Sequence, residues 1–210
     1  FVVFDITEYP VKVVAHFADP HISSVLYPSV INQVARNYNN ATVMVEINDN
    51  GQEVVNILHD DYEYDNLVGA MVKGRAGQQL TMYAEKAKGL ITTAVTKRIG
   101  CANLKNMIEF EKVILNSFDI IRELSTFVLS GNSYEADTGM HDDLVMCCVN
   151  FAWAASQPYF KNYIELGVTD IYSDAISGME EIDLPMGIFD DGDAPLRPTQ
   201  GGWLSVEDPY

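Results

Sequence analysis

The chain has 210 residues, 48% of them hydrophobic and 20% charged, which excludes wholesale disorder and allows one large domain or two small ones. Its formal net charge of −17, from 30 acidic and 13 basic residues, argues against indiscriminate nucleic-acid binding by the chain as a whole. Cys101, Cys147 and Cys148 are too few, and two of them too close, for a disulfide framework, so a reducing compartment is expected.

No apolar run approaches the roughly 18 residues of a membrane span. The apolar start is broken by Asp5 too soon to be a signal peptide. The chain opens in mid-strand without a methionine and reads as a fragment of something longer. Residues 1–7 and 11–17 are β-rich runs joined by Glu8-Tyr9-Pro10, a hairpin signal. Residues 29–38 place Val30, Val34 and Tyr38 on one helical face, stopped by Asn39-Asn40. Residues 41–47 (ATVMVEI) form a short apolar, β-branched run, expected as a buried parallel strand. A polar turn at 48–51 leads into a helix over 52–59, and 66–72 is a further strand.

The stretch 74–88 lacks a period and is expected as a long loop. A helix follows over 89–110, with Gly100 expected to break it in two. Residues 112–115 form a short edge strand. Ser117 caps a helix to about Leu124, and 126–136 form a second hairpin across Gly131-Asn132. Residues 141–156 form a helix apolar on nearly every face, hence buried. Beyond Gly178 the chain is rich in Gly, Pro and Asp and reads as a tail. The expected architecture is α/β, with a domain over 1–176 and an acidic tail over 177–210.

The charge is unevenly spread. Residues 177–210 hold eight acids and one base, whereas 73–112 hold eight bases and three acids. The second segment is +5 within a chain whose remainder is −22. Lys97, Arg98 and Lys105, then Lys86 and Lys88, are the candidates for gripping a phosphate backbone; a solvated helix face explains the same island.

Glu46 stands near the carboxyl end of an otherwise apolar strand, where open α/β sheets place their sites. Burying its charge without a partner costs several kcal/mol. A shorter strand, with Glu46 already in the turn, is the alternative, and spacing leaves both open. His141-Asp142-Asp143 opens the buried helix. Helix-dipole complementarity, worth about 0.3–1 kcal/mol, explains one acid there more readily than two acids and a histidine. Neighbouring helix positions point about 100° apart, so only one of Asp142 and Asp143 aims at a given point. Glu46 and Asp142 together suggest a hard-cation site for Mg²⁺ or Mn²⁺. No phosphate loop, zinc-ligand spacing or nucleophile elbow is present.

Three segments, ATVMVEINDNG at 41–51, TKRIGCANLKNMIE at 96–109 and GMHDDLVM at 139–146, resemble the C-terminal nuclease domain of the large terminase subunit of T-even-like tailed phages. The likeness runs from Phe1 to about Phe160. It implies a ribonuclease H-like fold, with a mixed sheet flanked by helices, close to Holliday-junction resolvases and integrases. It also implies metal-dependent endonuclease action on concatemeric DNA at the start and end of packaging. The family's carboxylates are an aspartate on the first strand, a glutamate on a later one and an aspartate opening the last core helix. Glu46 matches the second and Asp142 the third, with Asp143 beside it, a second ligand or a group just behind the ligands. The first has no match, because the chain starts just past its strand, and Asp5 is a poor substitute. His141 and Asn48 are expected around these ligands, His141 orienting a carboxylate or a phosphate.

The partners implied are double-stranded DNA, an N-terminal ATPase domain of the same polypeptide, the portal protein and the small terminase subunit, with no membrane. The location implied is the host cytoplasm rather than the virion. ATPase activity is not expected of this chain. A junction resolvase or integrase core, and a non-catalytic domain docking on DNA or portal, are the competing readings.

Overall fold

The computed structural model describes residues 1–72, 78–82, 89–131 and 133–160. Lys73, Arg75, Lys86 and Lys88 of the basic island, and the whole acidic tail, lie outside them.

Strands β1 (Val2–Asp5) and β2 (Val11–His16) form the expected hairpin, antiparallel with Phe4 opposite Val13 and an irregularity between Val3 and Phe4. Val11 and Val13 alternate inward from β2, as a strand with one buried face requires. Strand β6 (Val113–Ile114) joins β2 in parallel, giving the sheet order β1-β2-β6. Helix α1 (Tyr27–Asn37) has a proline in its first turn, where the ring costs no hydrogen bond, and buries Ile31 and Ala35 one turn apart. Asn39 and Asn40 take left-handed φ values of 56° and 52°, a conformation asparagine tolerates, and end the helical path.

Strand β3 (Val43–Met44) pairs in parallel with β4 (Leu67–Val72), and β5 (Gln78–Met82) runs antiparallel to β4. Both three-stranded sheets are mixed, as expected of the α/β class. Strand β5 corrects the expectation of a loop throughout 74–88. Its sequence QQLTM hides the pattern because polar side chains do structural work there. Gln78 donates to the Ile91 carbonyl at 2.5 Å and accepts from the Ile91 N–H at 3.1 Å, standing in for a backbone neighbour. Helix α2 (Gly51–Asn56) runs on into a π-helical turn over Ile57–Asp61.

Helix α3 (Ala94–Glu109) starts at a reciprocal capping box between Thr93 and Thr96. It is continuous through Gly100, contrary to the expected break. A β-carbon at Gly100 would overlap the carbonyl oxygen of Val149 and lie 2.7 Å from its Cγ1. The glycine is thus a contact point, not a breaker. It lets α3 press directly on the backbone of α5 (Asp143–Ala155). Helix α4 (Phe118–Ser125) is capped by Ser117, as expected, and leads into the hairpin β7 (Phe127–Ser130) and β8 (Ser133–Ala136).

Helix α5 is the hub. Leu144, Val145, Cys148, Val149 and Ala152 meet Val13, Leu104 and Ile120 in one cluster. Trp153 and Ala154 meet Leu80 and Leu90 in another. On a third side Phe151 stacks on Phe4, with ring centroids 3.9 Å apart. Among the described residues, every buried side-chain nitrogen and oxygen has a partner, and no helix is long and apolar enough to cross a membrane.

Gly100→Ala separates packing from propensity. Helix propensity alone would stabilise the protein by about 1 kcal/mol. The overlap with Val149 predicts instead a loss of about 1–3 kcal/mol, read from the urea-denaturation midpoint. A gain would mean that α3 and α5 are not in backbone contact.

Candidate active site

Glu46 does not lie in a free turn. Beyond β3, which pairs with β4, Glu46 forms a separate parallel bridge with Leu90. The Leu90 N–H donates to the Val45 carbonyl at 2.8 Å, and the Ile47 N–H to the Leu90 carbonyl at 2.9 Å. Glu46 is half-buried opposite Leu90. The spacing E-x-N-x-x-G acquires a physical meaning here. A β-carbon at Gly51 would overlap the Glu46 carbonyl oxygen, so the start of α2 packs directly against the glutamate's backbone. The Asn48 side chain accepts from the Thr92 N–H and donates to the Thr92 carbonyl, both at 2.8 Å. Asn48 therefore anchors the strand end, and its hydrogen bonds go to Thr92.

The side chain that does touch Glu46 is Asn150 of α5. It is 7% exposed, donates to Glu46 Oε2 at 3.2 Å and accepts from the Thr92 hydroxyl at 3.2 Å. Asp143, Cys147 and Asn150 follow one another at four and three residues and so share a face of α5. Burial pushes the Cys147 thiol up from its ordinary pKa, and the charges of Glu46, Asp143 and Glu123 push it the same way. Burial likewise raises Tyr27, with the Cys147 and Asp143 charges adding. Burial also raises Cys101 and Cys148, so these thiols stay protonated and inert.

The two aspartates part company. Asp143, in the first turn, lies on the face that carries Asn150 and is largely exposed, with its Oδ2 4.0 Å from Nδ1 of an equally exposed His141. Asp142 occupies the N-cap position, but its side chain makes no capping bond. Its Oδ2 lies 3.9 Å from the Lys97 ammonium, which also sits 5.7 Å from the centroid of the Phe127 ring in the β7–β8 hairpin. The amides that Asp142 would cap are taken by Glu123 of α4, which accepts from the Leu144 N–H at 2.8 Å and the Val145 N–H at 3.1 Å.

Of the five bases proposed for DNA, Lys86 and Lys88 lie outside the described residues. Lys97 is held at the acidic pair, Arg98 is exposed, and Lys105 is exposed and 3.6 Å from Glu109 one turn on. Such a surface pair contributes well under 1 kcal/mol and leaves the lysine available to other anions. Asp5 accepts from the Thr7 hydroxyl at 2.6 Å and the Thr7 N–H at 3.0 Å, and these bonds hold its carboxyl below the usual range. It is occupied in a local turn.

A model of the terminase RNaseH-like domain matches residues 1–154. The chain belongs to this family. Its mixed α/β architecture is that of a terminase RNaseH-like domain, and a nuclease-type function follows at that general level. Glu46 and Asp143 of this terminase domain offer carboxylate oxygens, which suit a hard cation, and Cys147, on the same face of α5 as Asp143, stays protonated. Among the described residues no three His, Cys, Asp or Glu side chains gather into a ready-made metal cluster. Two carboxylates fit an ion that keeps waters and takes further oxygens from a substrate phosphate.

Sequence reasoning missed Asn150, Thr92 and Glu123. Asn150 carried a visible signal, as the one amide in the apolar run LVMCCVNFAWAA. Glu123 carried none, because its role depends on where α4 ends relative to α5. Asn150→Ala should cost about 1–3 kcal/mol in chemical denaturation, because it leaves Glu46 and the Thr92 hydroxyl each short of a partner in a half-buried place. A midpoint equal to the parent's would mean that the Glu46–Asn150 bond does not form in solution.

Proposed function

We propose that this domain is the nuclease of a phage terminase large subunit, of the T-even-like kind, and cuts concatemeric DNA during genome packaging with Mg²⁺ or Mn²⁺. The observation that carries this reading is the link from the strand carboxylate to the helix carboxylate. Glu46 is fixed by Asn150, and Asn150 shares a face of α5 with Asp143. The family match over residues 1–154 supports it at the level of the domain.

In this reading Glu46 and Asp143 are the principal oxygen ligands, and Asp142 is a further ligand that also holds Lys97. A divalent ion bound there would polarise the scissile phosphate and lower the pKa of an attacking water. The protein's own residues do the rest. Asn150 fixes the orientation of Glu46. Lys97, partly withdrawn from water between Asp142 and Phe127, offers a cation beside the acids at which a phosphate can dwell. His141 is exposed beside Asp143, where it can meet a DNA backbone. Arg98 and Lys105 extend the positive surface along α3, and Lys86 and Lys88 belong to the same island. Phosphate contacts of this kind position DNA without reading its sequence, so cutting is largely sequence-independent. The proposed partners are double-stranded DNA, an ATPase motor domain, the portal and the small terminase subunit, in the cytoplasm of an infected bacterium.

Plasmid nicking in Mg²⁺ or Mn²⁺ tests the chemistry. Glu46→Gln and Asp143→Asn should each lose more than the ~10–100-fold that groups behind a metal's ligands are worth. DNA binding should stay intact, since each substitution also removes a charge that repels phosphate. Activity within about threefold of the parent in either variant would remove that carboxylate from the ligand set. For the DNA surface, Lys97→Ala with Arg98→Ala should flatten the dependence of log affinity on log salt by about two units and weaken all sequences alike. An unchanged slope would move the DNA to another face.

A further inference from the structure

An aspartate at a helix N-cap ordinarily turns its carboxylate back onto the helix and accepts from the N–H of the second or third residue. In α5 those groups are Leu144 and Val145. Both donate instead to a single oxygen, Oε2 of Glu123, at 2.8 and 3.1 Å. The acceptor is a carboxyl oxygen at the positive end of the helix dipole, so it competes well for these N–H groups. Asp142 has the cap position without the cap bond, and its carboxylate is turned toward Lys97 at 3.9 Å.

We infer that Glu123 is a positioning residue for the acidic pair, an assignment that rests on the nuclease reading above. By holding the two amides it prevents Asp142 from folding back onto its own helix. It also fixes the first turn of α5, which carries Asp143. The sequence places Glu123 to do this from outside α5. Between Glu123 and Asp142 the chain leaves the core as the β7–β8 hairpin and returns through residues 137–141, and the two hydrogen bonds close the base of that excursion. A carboxylate on a neighbouring element can supply the cap while neither aspartate is spent on the amides. A cap within α5 would consume one of them.

The test uses Glu123→Ala, Glu123→Asp and Glu123→Gln. Alanine removes the acceptor, aspartate withdraws it by one methylene, and glutamine keeps an acceptor oxygen at the same reach. Two measurements are made on each: a crystal structure, and plasmid nicking across a Mg²⁺ titration at a temperature where circular dichroism shows the variant folded. In Glu123→Ala the Asp142 carboxylate should swing to within hydrogen-bond distance of the Leu144 or Val145 N–H. Half-maximal nicking should then require about tenfold more Mg²⁺, in the range set by groups behind a metal's ligands. Glu123→Asp should shift the same way, which decides the matter if the alanine variant does not fold, and Glu123→Gln should restore most of the parent's Mg²⁺ response. A purely structural staple would lower thermal stability and leave both the Mg²⁺ midpoint and the Asp142 rotamer where they were, and that result overturns the inference. If the parent protein shows no Mg²⁺-dependent nicking, the nuclease reading fails. The position of Asp142 in the variant crystals then still decides the role of Glu123.

Discussion

A helix that is apolar around most of its circumference has to be surrounded, and α5 sets that requirement for this domain. Burying side chains of the size of Leu144, Val149 or Trp153 is worth about 1.5–3 kcal/mol each, so leaving any side of α5 open would forfeit a large part of a typical domain's stability. The three sides are closed by different parts of the chain: α3 with α4, the β1–β2–β6 sheet through Phe4, and the β3–β4–β5 sheet through Leu80 and Leu90. Gly100 allows the closest of these approaches, backbone against backbone. The candidate site lies where this arrangement ends, at the first turn of α5, where Asp143 is exposed.

That position explains its electrostatics. The N-terminus of a helix carries roughly half a positive charge and unsatisfied N–H groups. Three carboxylates crowd toward it, from Glu123, Asp142 and Asp143, with Lys97 as the nearby cation. Glu123 is matched to the amides, Asp142 to Lys97, and Asp143 is left facing water. Burial, with the charges of Glu46, Asp143 and Glu123 adding, keeps Cys147 protonated, so the thiol behind the site stays a packing group. The spot thus stays net negative, with Asp143 unmatched, within a chain whose formal charge is −17.

Much of this was legible in the sequence because local chemistry and fold agree. Asn39-Asn40, Ser117 and Gly131 each mark a boundary by a mechanism that works whatever surrounds them. The errors have a common cause. Gly100 reads as a breaker when only local propensity is weighed, and its real role is a contact with Val149, 49 positions away. Residues 78–82 read as a loop because the glutamine that binds the chain at Ile91 looks like an ordinary solvated residue. For the site, Glu46 and the acidic pair stood out as charges beside apolar runs. What occupies the amides of α5 depended on the packing of α4 and could not be read from spacing.

The chain of contacts from Glu46 through Asn150 to Thr92 and on to Asn48 has a kinetic consequence. Its links close sequence separations of 104, 58 and 44 residues. Loops of that length are closed late, after local helices and hairpins have formed, because their entropic cost is repaid only by the packing that accompanies them. No early hairpin or isolated helix contains two members of the set. A nascent or partly unfolded chain therefore displays Glu46 apart from the acidic pair and undirected, and the constellation exists only in the completed domain. For a protein read as one that severs its own genome, completion of the fold acts as the first safety catch.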